Sequence, residues 1–342
     1  MISKIVNLST GPVAISSQVM KALQNAPISH RSQEFKQLYC KTTDLLSKSF
    51  HVQKTFLLSG SGTLANEAML QEIKCIDGDG LIISNGEFGN RLINHALANR
   101  LKFIFHQLDW GMLFNVQEIE QIIIHKSIKW ILFCHCETST GVVNDLNELT
   151  ILAKRNDCLC FVDCMSTVGT MPLNLSKVTM ATASSGKGLA SIPGLAVIFS
   201  NIKPSLKKST PVYLDLSHYS IKSGIPFTIS SNLLQALYTS ICQKLQEEQF
   251  ELINEYGKQF FKILNSYDSV PFSNTSTKVF TIVESVKREP NLVSYLRGKQ
   301  LLLSEESDYL KKRRWCQLAT FGYYRETQLK YVLKTLKHSF LS

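Results

Sequence analysis

No stretch of the 342-residue sequence reaches the ~18–20 uninterrupted apolar residues of a bilayer span, so no membrane helix is expected. The opening residues, Met1-Ile2-Ser3-Lys4-Ile5-Val6-Asn7, lack the apolar core of a secretory leader, which places the protein in the cytoplasm as an expectation. Internal repeats and low-complexity tracts are absent, which excludes a solenoid. The nine cysteines offer no metal or redox spacing. Cys134 with Cys136, and Cys158 with Cys160, are Cys-x-Cys pairs inside apolar runs, so they read as free, buried, small hydrophobes.

An excess of either charge is also missing from half of the chain. Residues 1–170 carry 15 Lys/Arg against 15 Asp/Glu, and the whole +10 excess arises in residues 171–342. The runs Lys207-Lys208 and Lys311-Lys312-Arg313-Arg314 come without an aromatic RNA-binding signature or a helix-turn-helix pattern. They read as solvated surface, with attraction of an anionic substrate as the functional option; no nucleic-acid or membrane partner is expected.

What is present is alternation. Short apolar runs (Thr55–Leu58, Gly80–Ser84, Lys102–His106, Trp130–His135, Leu159–Asp163 and Leu195–Ser200) alternate with helix-periodic segments at Thr63–Cys75, Asn90–Asn99, Val116–Ile124 and Asp145–Arg155. Runs apolar on both faces and separated by helices predict an α/β fold with a mostly parallel central sheet covered by helices. After Pro211 a loop-like stretch, Ser217–Ser231, leads into one long helix from Asn232 to about Tyr267. Strands at Lys278–Val283 and Trp315–Ala319 and a helix at Glu326–His338 then predict a small α+β C-terminal domain. The expected organisation is an N-terminal segment (1–14) near the site, a large domain (15–245) and an abbreviated small domain (246–342).

In parallel sheets ligands lie beyond the carboxyl ends of the strands. Ser59–Thr63, Asn85–Phe88, Glu137–Thr140 and Asp163 all follow apolar runs and should converge there. Ser59-Gly60-Ser61-Gly62-Thr63 opens a helix, and the free N–H groups of a helix start attract an anion such as a phosphate. Asp163 ends a buried strand, where a carboxylate needs a partner, and a protonated ring nitrogen supplies one. Lys187 sits among Ser184, Ser185, Gly186 and Gly188, small neighbours that admit a planar ring, and desolvation would make its amine a nucleophile and base. Phosphate cradle, carboxylate and amine are together what holds pyridoxal 5′-phosphate. One rival shares the first motif: Gly60-x-Gly62-x-x-Ala65 also fits a dinucleotide fingerprint, with Asp77 and Asp79 near the expected distance. Those acids, however, look like part of a turn before a strand, whereas the ribose-binding acid ends one.

Taken in order, these residues resemble the class V aminotransferases of the fold-type I pyridoxal-phosphate family, over most of the chain and most strongly over residues 8–235. The resemblance rests on Gly11-Pro12, His30-Arg31-Ser32-x-Glu34-Phe35, Ser59–Thr63, His135-x-Glu137-Thr138-Ser139-Thr140-Gly141, Asp163 with Met165-Ser166-Thr167, and Ser184-Ser185-Gly186-Lys187. Within the class, Ser84-Asn85-Gly86-x-Phe88-Gly89-x-Arg91, Tyr213–Leu216 and Phe227-Thr228 are most similar to the 2-aminoethylphosphonate–pyruvate group, with the alanine–glyoxylate group next. The resemblance implies an amino-group transfer from a small amine or amino acid, a 2-aminoethylphosphonate-like donor among the candidates, to a 2-oxo acid through a Lys187 aldimine. Asp163 would hold the ring nitrogen, Ser61, Gly62 and Thr63 the phosphate, and Phe88 would stack on the ring. Thr138 would stand near the ring hydroxyl, with Ser185 completing the cofactor set. Thr228 would reach the phosphate of a second subunit, which implies a homodimer.

Gly11, Arg31 and Gln317 are the substrate candidates. Gln317 stands where the family carries a carboxylate-clamping arginine, and a neutral amide loses the charge-assisted bidentate pair. Arg31, Arg313 or Arg314 are the candidates to replace it. Two other outcomes keep the cofactor: a lyase or desulfurase, with Cys316 as the candidate thiol, and a cofactor-binding homologue with altered or lost transaminase activity.

Overall fold

A computed structural model describes residues 5–204, 210–222, 224–266, 272, 278–283 and 291–339; the Lys207-Lys208 run lies outside them. Seven strands form the central sheet: β1 (Lys54–Ser59), β2 (Gly80–Ser84), β3 (Phe103–Gln107), β4 (Trp130–Cys134), β5 (Leu159–Asp163), β6 (Met180–Ser184) and β7 (Leu195–Ser200). They lie in the order β1-β7-β6-β5-β4-β2-β3. All pairings are parallel except those of β7, which runs antiparallel to both β1 and β6. The reversal has a consequence for the site. It makes residues 185–194 a hairpin connection at the edge where the parallel strands end, so Lys187 arrives beside Asp163.

Strand β6, Met-Ala-Thr-Ala-Ser, escaped the sequence reading because small residues carry little strand signal. It is a strand because burial between β5 and β7 pairs its backbone. Edge strand β3 is the opposite case: Ile104 and Phe105 are exposed, and β2 pairs with it on one side only.

Helices α1 (Gln33–Phe50), α2 (Gly62–Ile73) and α3 (Glu87–Ala98) cover the sheet with others from both faces. Two apolar clusters result. One joins Phe35, Phe133, Val162 and Phe199 with the helix at Ser231–Lys244; the other joins Phe56, Met69, Trp130 and Phe161. Among the described residues no helix is long and apolar enough to cross a membrane.

The single long helix expected from Asn232 is two, Ser231–Lys244 and Glu247–Asn265, broken at Leu245-Gln246. Gln246 is extended and caps the second helix, and the chain turns there into a third cluster built on Phe260, Phe280, Leu318 and Val332. The loop-like stretch holds a short helix, Leu216–Ile221, capped by Asp215. In the C-terminal part, β8 (Val279–Val283) and β9 (Trp315–Ala319) pair antiparallel. Leu292–Gly298 and Asp308–Arg313 are helical between them, and Leu301–Leu302 pairs with Val6–Asn7. The N-terminal segment thus packs on the third cluster through Val6 and Leu8 before reaching the sheet edge.

Lys244, at the helix break, is fully buried and its Nζ donates to the Gly322 carbonyl at 2.6 Å. Burial pushes its pKa down to about 7 from 10.5. Unfolded, this lysine keeps its proton where the folded chain has released it. The unfolded state therefore binds more protons between those values, and stability from this site rises with pH. The stability of the wild type relative to Lys244→Met (wild type minus variant) should rise from pH 7 towards pH 9 by at most about 1.4 kcal/mol per pH unit. Urea denaturation across that range checks it, and a level or falling difference contradicts it.

Candidate active site

The strand ends gather one cavity of about 300 Å³ at the sheet edge. Gly11, Ser61, Gly62, Thr63, Phe88, Thr138, Asp163 and Lys187 all line it, together with Asn66, Arg91, Cys134, Cys136 and Ser166.

Ser61 is the N-cap of α2, extended and with no side-chain cap bond, which leaves its hydroxyl and the first-turn N–H groups facing the cavity. Gly62 has no room for a side chain, because a Cβ there would lie 2.5 Å from Met165 Sδ. Helix α3 is anchored instead by a carboxylate from another element. Glu137, fully buried, accepts the N–H groups of Phe88 at 3.1 Å and Gly89 at 2.9 Å, and the Ser139 hydroxyl at 2.6 Å. Burial pushes its pKa up, and those bonds hold it down. This anchor aims Phe88 and Arg91 at the cavity; the Arg91 guanidinium lies 4.8 Å from the Phe88 ring centre.

Asp163 is 8% exposed. Its Oδ2 accepts from Asn66 Nδ2 at 2.8 Å and its Oδ1 from the Met165 N–H at 2.9 Å. Asn66 is itself held, its Oδ1 accepting from the Thr182 hydroxyl at 2.6 Å. Burial raises the Asp163 pKa, while the Met165 and Asn66 bonds and the Lys187 charge lower it. Lys187 Nζ donates to the Thr10 carbonyl at 2.7 Å. Burial pushes its pKa down to about 8, against the pull of Asp163. Gly11, at φ +144°, gives it passage: a Cβ would stand 3.0–3.1 Å from Lys187 Cδ, Cε and Nζ. Thr138 Oγ1 shares a short hydrogen bond with Ser166 Oγ.

Four expected residues do not line the cavity. Ser185 turns its hydroxyl to the Ile192 carbonyl and the Leu195 N–H, pinning the hairpin loop. Gln317 is fully buried, with Nε2 donating to the Thr138 carbonyl at 2.6 Å and to Thr281 Oγ1 at 2.9 Å, and Oε1 accepting from Tyr309. It is consumed in docking β9 on the Thr138–Ser139 turn. Arg31 is exposed ahead of α1, and Thr228 is exposed as well, its carbonyl accepting from the Ser59 hydroxyl at 3.3 Å.

The proposed replacement clamps are elsewhere as well. Arg313 lies 3.8 Å over Trp110, and Arg314 ends a helix in the left-handed region. Cys316 is buried within β9, outside the cavity. Asp77 and Asp79 are exposed in the turn before β2, at the opposite sheet edge, which removes the dinucleotide reading's ribose contact.

Sequence reasoning missed Asn66, Ser166 and the anchoring role of Glu137. The signal for Asn66 was a polar residue on the apolar face of Ala65, Ala68 and Met69. Among the described residues no cluster of three or more His, Cys, Asp or Glu could hold a metal. The cavity offers anion donors at a helix start, a buried carboxylate and a buried amine, which is the donor set that pyridoxal phosphate needs.

The sequence profile described as "Aminotransferase class-V" matches residues 9–218. An uncharacterized aminotransferase of Methanocaldococcus jannaschii is 32% identical over 250 residues, 69% of this chain and 65% of that protein. The match thus spans just under two thirds of that relative's length. A 2-aminoethylphosphonate–pyruvate transaminase of Bacillus cereus is 23% identical over 272 residues, 76% of this chain and 77% of that protein. Among solved structures, an alanine–glyoxylate aminotransferase of a Nostoc species is similar with TM-score 0.86 and 20% identity, over 99% of this chain and 96% of that one.

Glu137→Ala strands the N–H groups of Phe88 and Gly89 in a buried site. It should lower stability by about 2–4 kcal/mol in chemical denaturation. A loss below about 1 kcal/mol would show that α3 does not depend on this carboxylate.

Proposed function

The chain belongs to the class-V aminotransferase family with its fold-type I architecture, and on that footing we propose that it transfers an amino group from a small amine or amino acid to a 2-oxo acid, using pyridoxal 5′-phosphate. The observation that carries the reading is one cavity lined by Lys187, Asp163 and the open start of α2. Bound there, the cofactor supplies an aldehyde that exchanges amines and a ring that draws electron density from the bond being broken.

Ser61, Gly62 and Thr63 would hold its phosphate, as an anion at a helix start. Asp163 would keep the ring nitrogen protonated, and its bonds to Asn66 and Met165 fix that carboxylate in place. Phe88 would lie against the ring, and Thr138, paired with Ser166, would serve the ring hydroxyl. Lys187 Nζ, its pKa lowered to about 8, holds a free lone pair in an appreciable fraction of molecules near neutral pH. In that form it accepts a proton from the amine-bearing carbon of the donor and returns it later as an acid. The donor leaves as a carbonyl compound, and the 2-oxo acid receives the amine.

For an anionic end of the substrate, Arg91 is the guanidinium that lines the cavity among the described residues, in place of Arg31, Arg313 or Arg314. A 2-aminoethylphosphonate-like donor would meet it there. Thr228, exposed beside Ser59 and outside this chain's own cavity, supports a homodimer in which it serves the other subunit. The desulfurase alternative finds no support in the position of Cys316.

Lys187→Ala and Asp163→Asn should each reduce transfer from a panel of donors to pyruvate by about 10²–10⁴-fold, measured by amine-acceptor turnover. Uptake of the cofactor by the wild type should rise with pH and reach half-maximum near 8, as Nζ loses its proton. Full activity in Lys187→Ala would end the reading.

A further inference from the structure

Phe88 and Thr138 both line the cofactor cavity, and one side chain outside it reaches the supports of both. Tyr309 stands on the helix Asp308–Arg313 of the C-terminal part and is half-buried. Its ring meets Phe88 edge to face, with centres 6.2 Å apart and planes at 78°. Its hydroxyl donates to Gln317 Oε1 at 2.9 Å, and Gln317 Nε2 passes the connection on to the Thr138 carbonyl at 2.6 Å.

The polar chain has one direction. Gln317 Nε2 faces the carbonyls of Thr138 and Ser139, so a reversed amide would set oxygen against oxygen. Oε1 is thereby committed to accept, and Tyr309 supplies the proton. Burial pushes the phenol up to about 12, which keeps that proton in place through the neutral range.

The ring is held from its other side as well. Trp110, in the loop after β3, lies 6.2 Å from Tyr309 between ring centres. Trp110 is in turn covered by the Arg313 guanidinium at 3.8 Å and by Trp315 at 6.1 Å. Tyr309 is therefore wedged between Phe88 and a braced tryptophan, and the pair cannot relax by a simple swing of the phenol.

We propose that Tyr309 is a positioning residue for the cofactor, setting the tilt of Phe88 through its ring and the place of Thr138 through its hydroxyl and Gln317. The inference rests on the reading that pyridoxal phosphate occupies the cavity. It gives the C-terminal part a hand in the site that needs no charge, since an edge-to-face aromatic pair fixes ring geometry and a directed hydrogen-bond chain fixes a turn. It also assigns a use to the neutral amide of Gln317. A tyrosine serving packing alone would need only its ring, and its hydroxyl would have no effect that depends on Thr138.

The test is calorimetric titration of the full chain, freed of cofactor, with pyridoxamine 5′-phosphate. This probe carries an amine in place of the aldehyde and cannot condense with Lys187, so it reads the non-covalent contacts. Tyr309→Phe, which keeps the ring, should weaken binding by at least about threefold. In a Thr138→Val background the same change should weaken it by less than about twofold, because coupled residues are non-additive. Tyr309→Leu, which removes both contacts, should weaken binding by at least about tenfold. A smaller effect of Tyr309→Phe, an undiminished effect in the Thr138→Val background, or a Tyr309→Leu variant no weaker than Tyr309→Phe would each overturn the proposal while wild-type binding leaves the cofactor reading standing. No saturable binding by the wild type would end both.

Discussion

A carboxylate held out of water at a strand end is the constraint on which this structure turns. An uncompensated charge at Asp163 would destabilise the fold by several kcal/mol, and each neighbour that prevents this makes a demand of its own. Asn66 must face the sheet from α2, and Thr182 from β6 fixes its amide. Lys187 must come to the same edge, which requires that β7 return antiparallel beside β6. The passage of Lys187 in turn requires a residue without a side chain at Gly11. Sheet order, helix placement and the N-terminal segment are thus tied to one buried group.

The second organising contact joins the two parts of the chain. Thr281 and Gln317, opposite each other on β8 and β9, both donate to the turn at Thr138–Ser139. The C-terminal part therefore supports the loop that carries Thr138, with Gln317 at the position where the resemblance implies an arginine. In the proposed reading this moves recognition of an anionic group to α3, where Arg91 is positioned by the Glu137 anchor.

Much of this was legible beforehand, because strand ends followed by glycine-rich or capping residues mark a ligand edge whatever the ligand. Asp163 and Ser61–Thr63 could be assigned to one edge from order and periodicity, and Lys187 joined them through its small neighbours and the family resemblance. Side-chain direction could not. Ser185 and Lys187 are two residues apart in a small-residue hairpin, yet one hydroxyl bonds its own loop while the amine enters the cavity. Gln317 looks like a site residue by position, and only the Tyr309 and Thr138 contacts show that its amide is already satisfied. Strand β6 and the break at Leu245 were hidden because burial, and the turn of the chain into the third apolar cluster, override weak local preference.

The central claim is that the amine of Lys187 is where the cofactor is held. Peptide mass mapping after borohydride reduction of the chain with bound pyridoxal phosphate tests it most directly. The account predicts one added cofactor mass, on the peptide that contains Lys187. Mass spread over surface lysines, or found on no peptide, would contradict it.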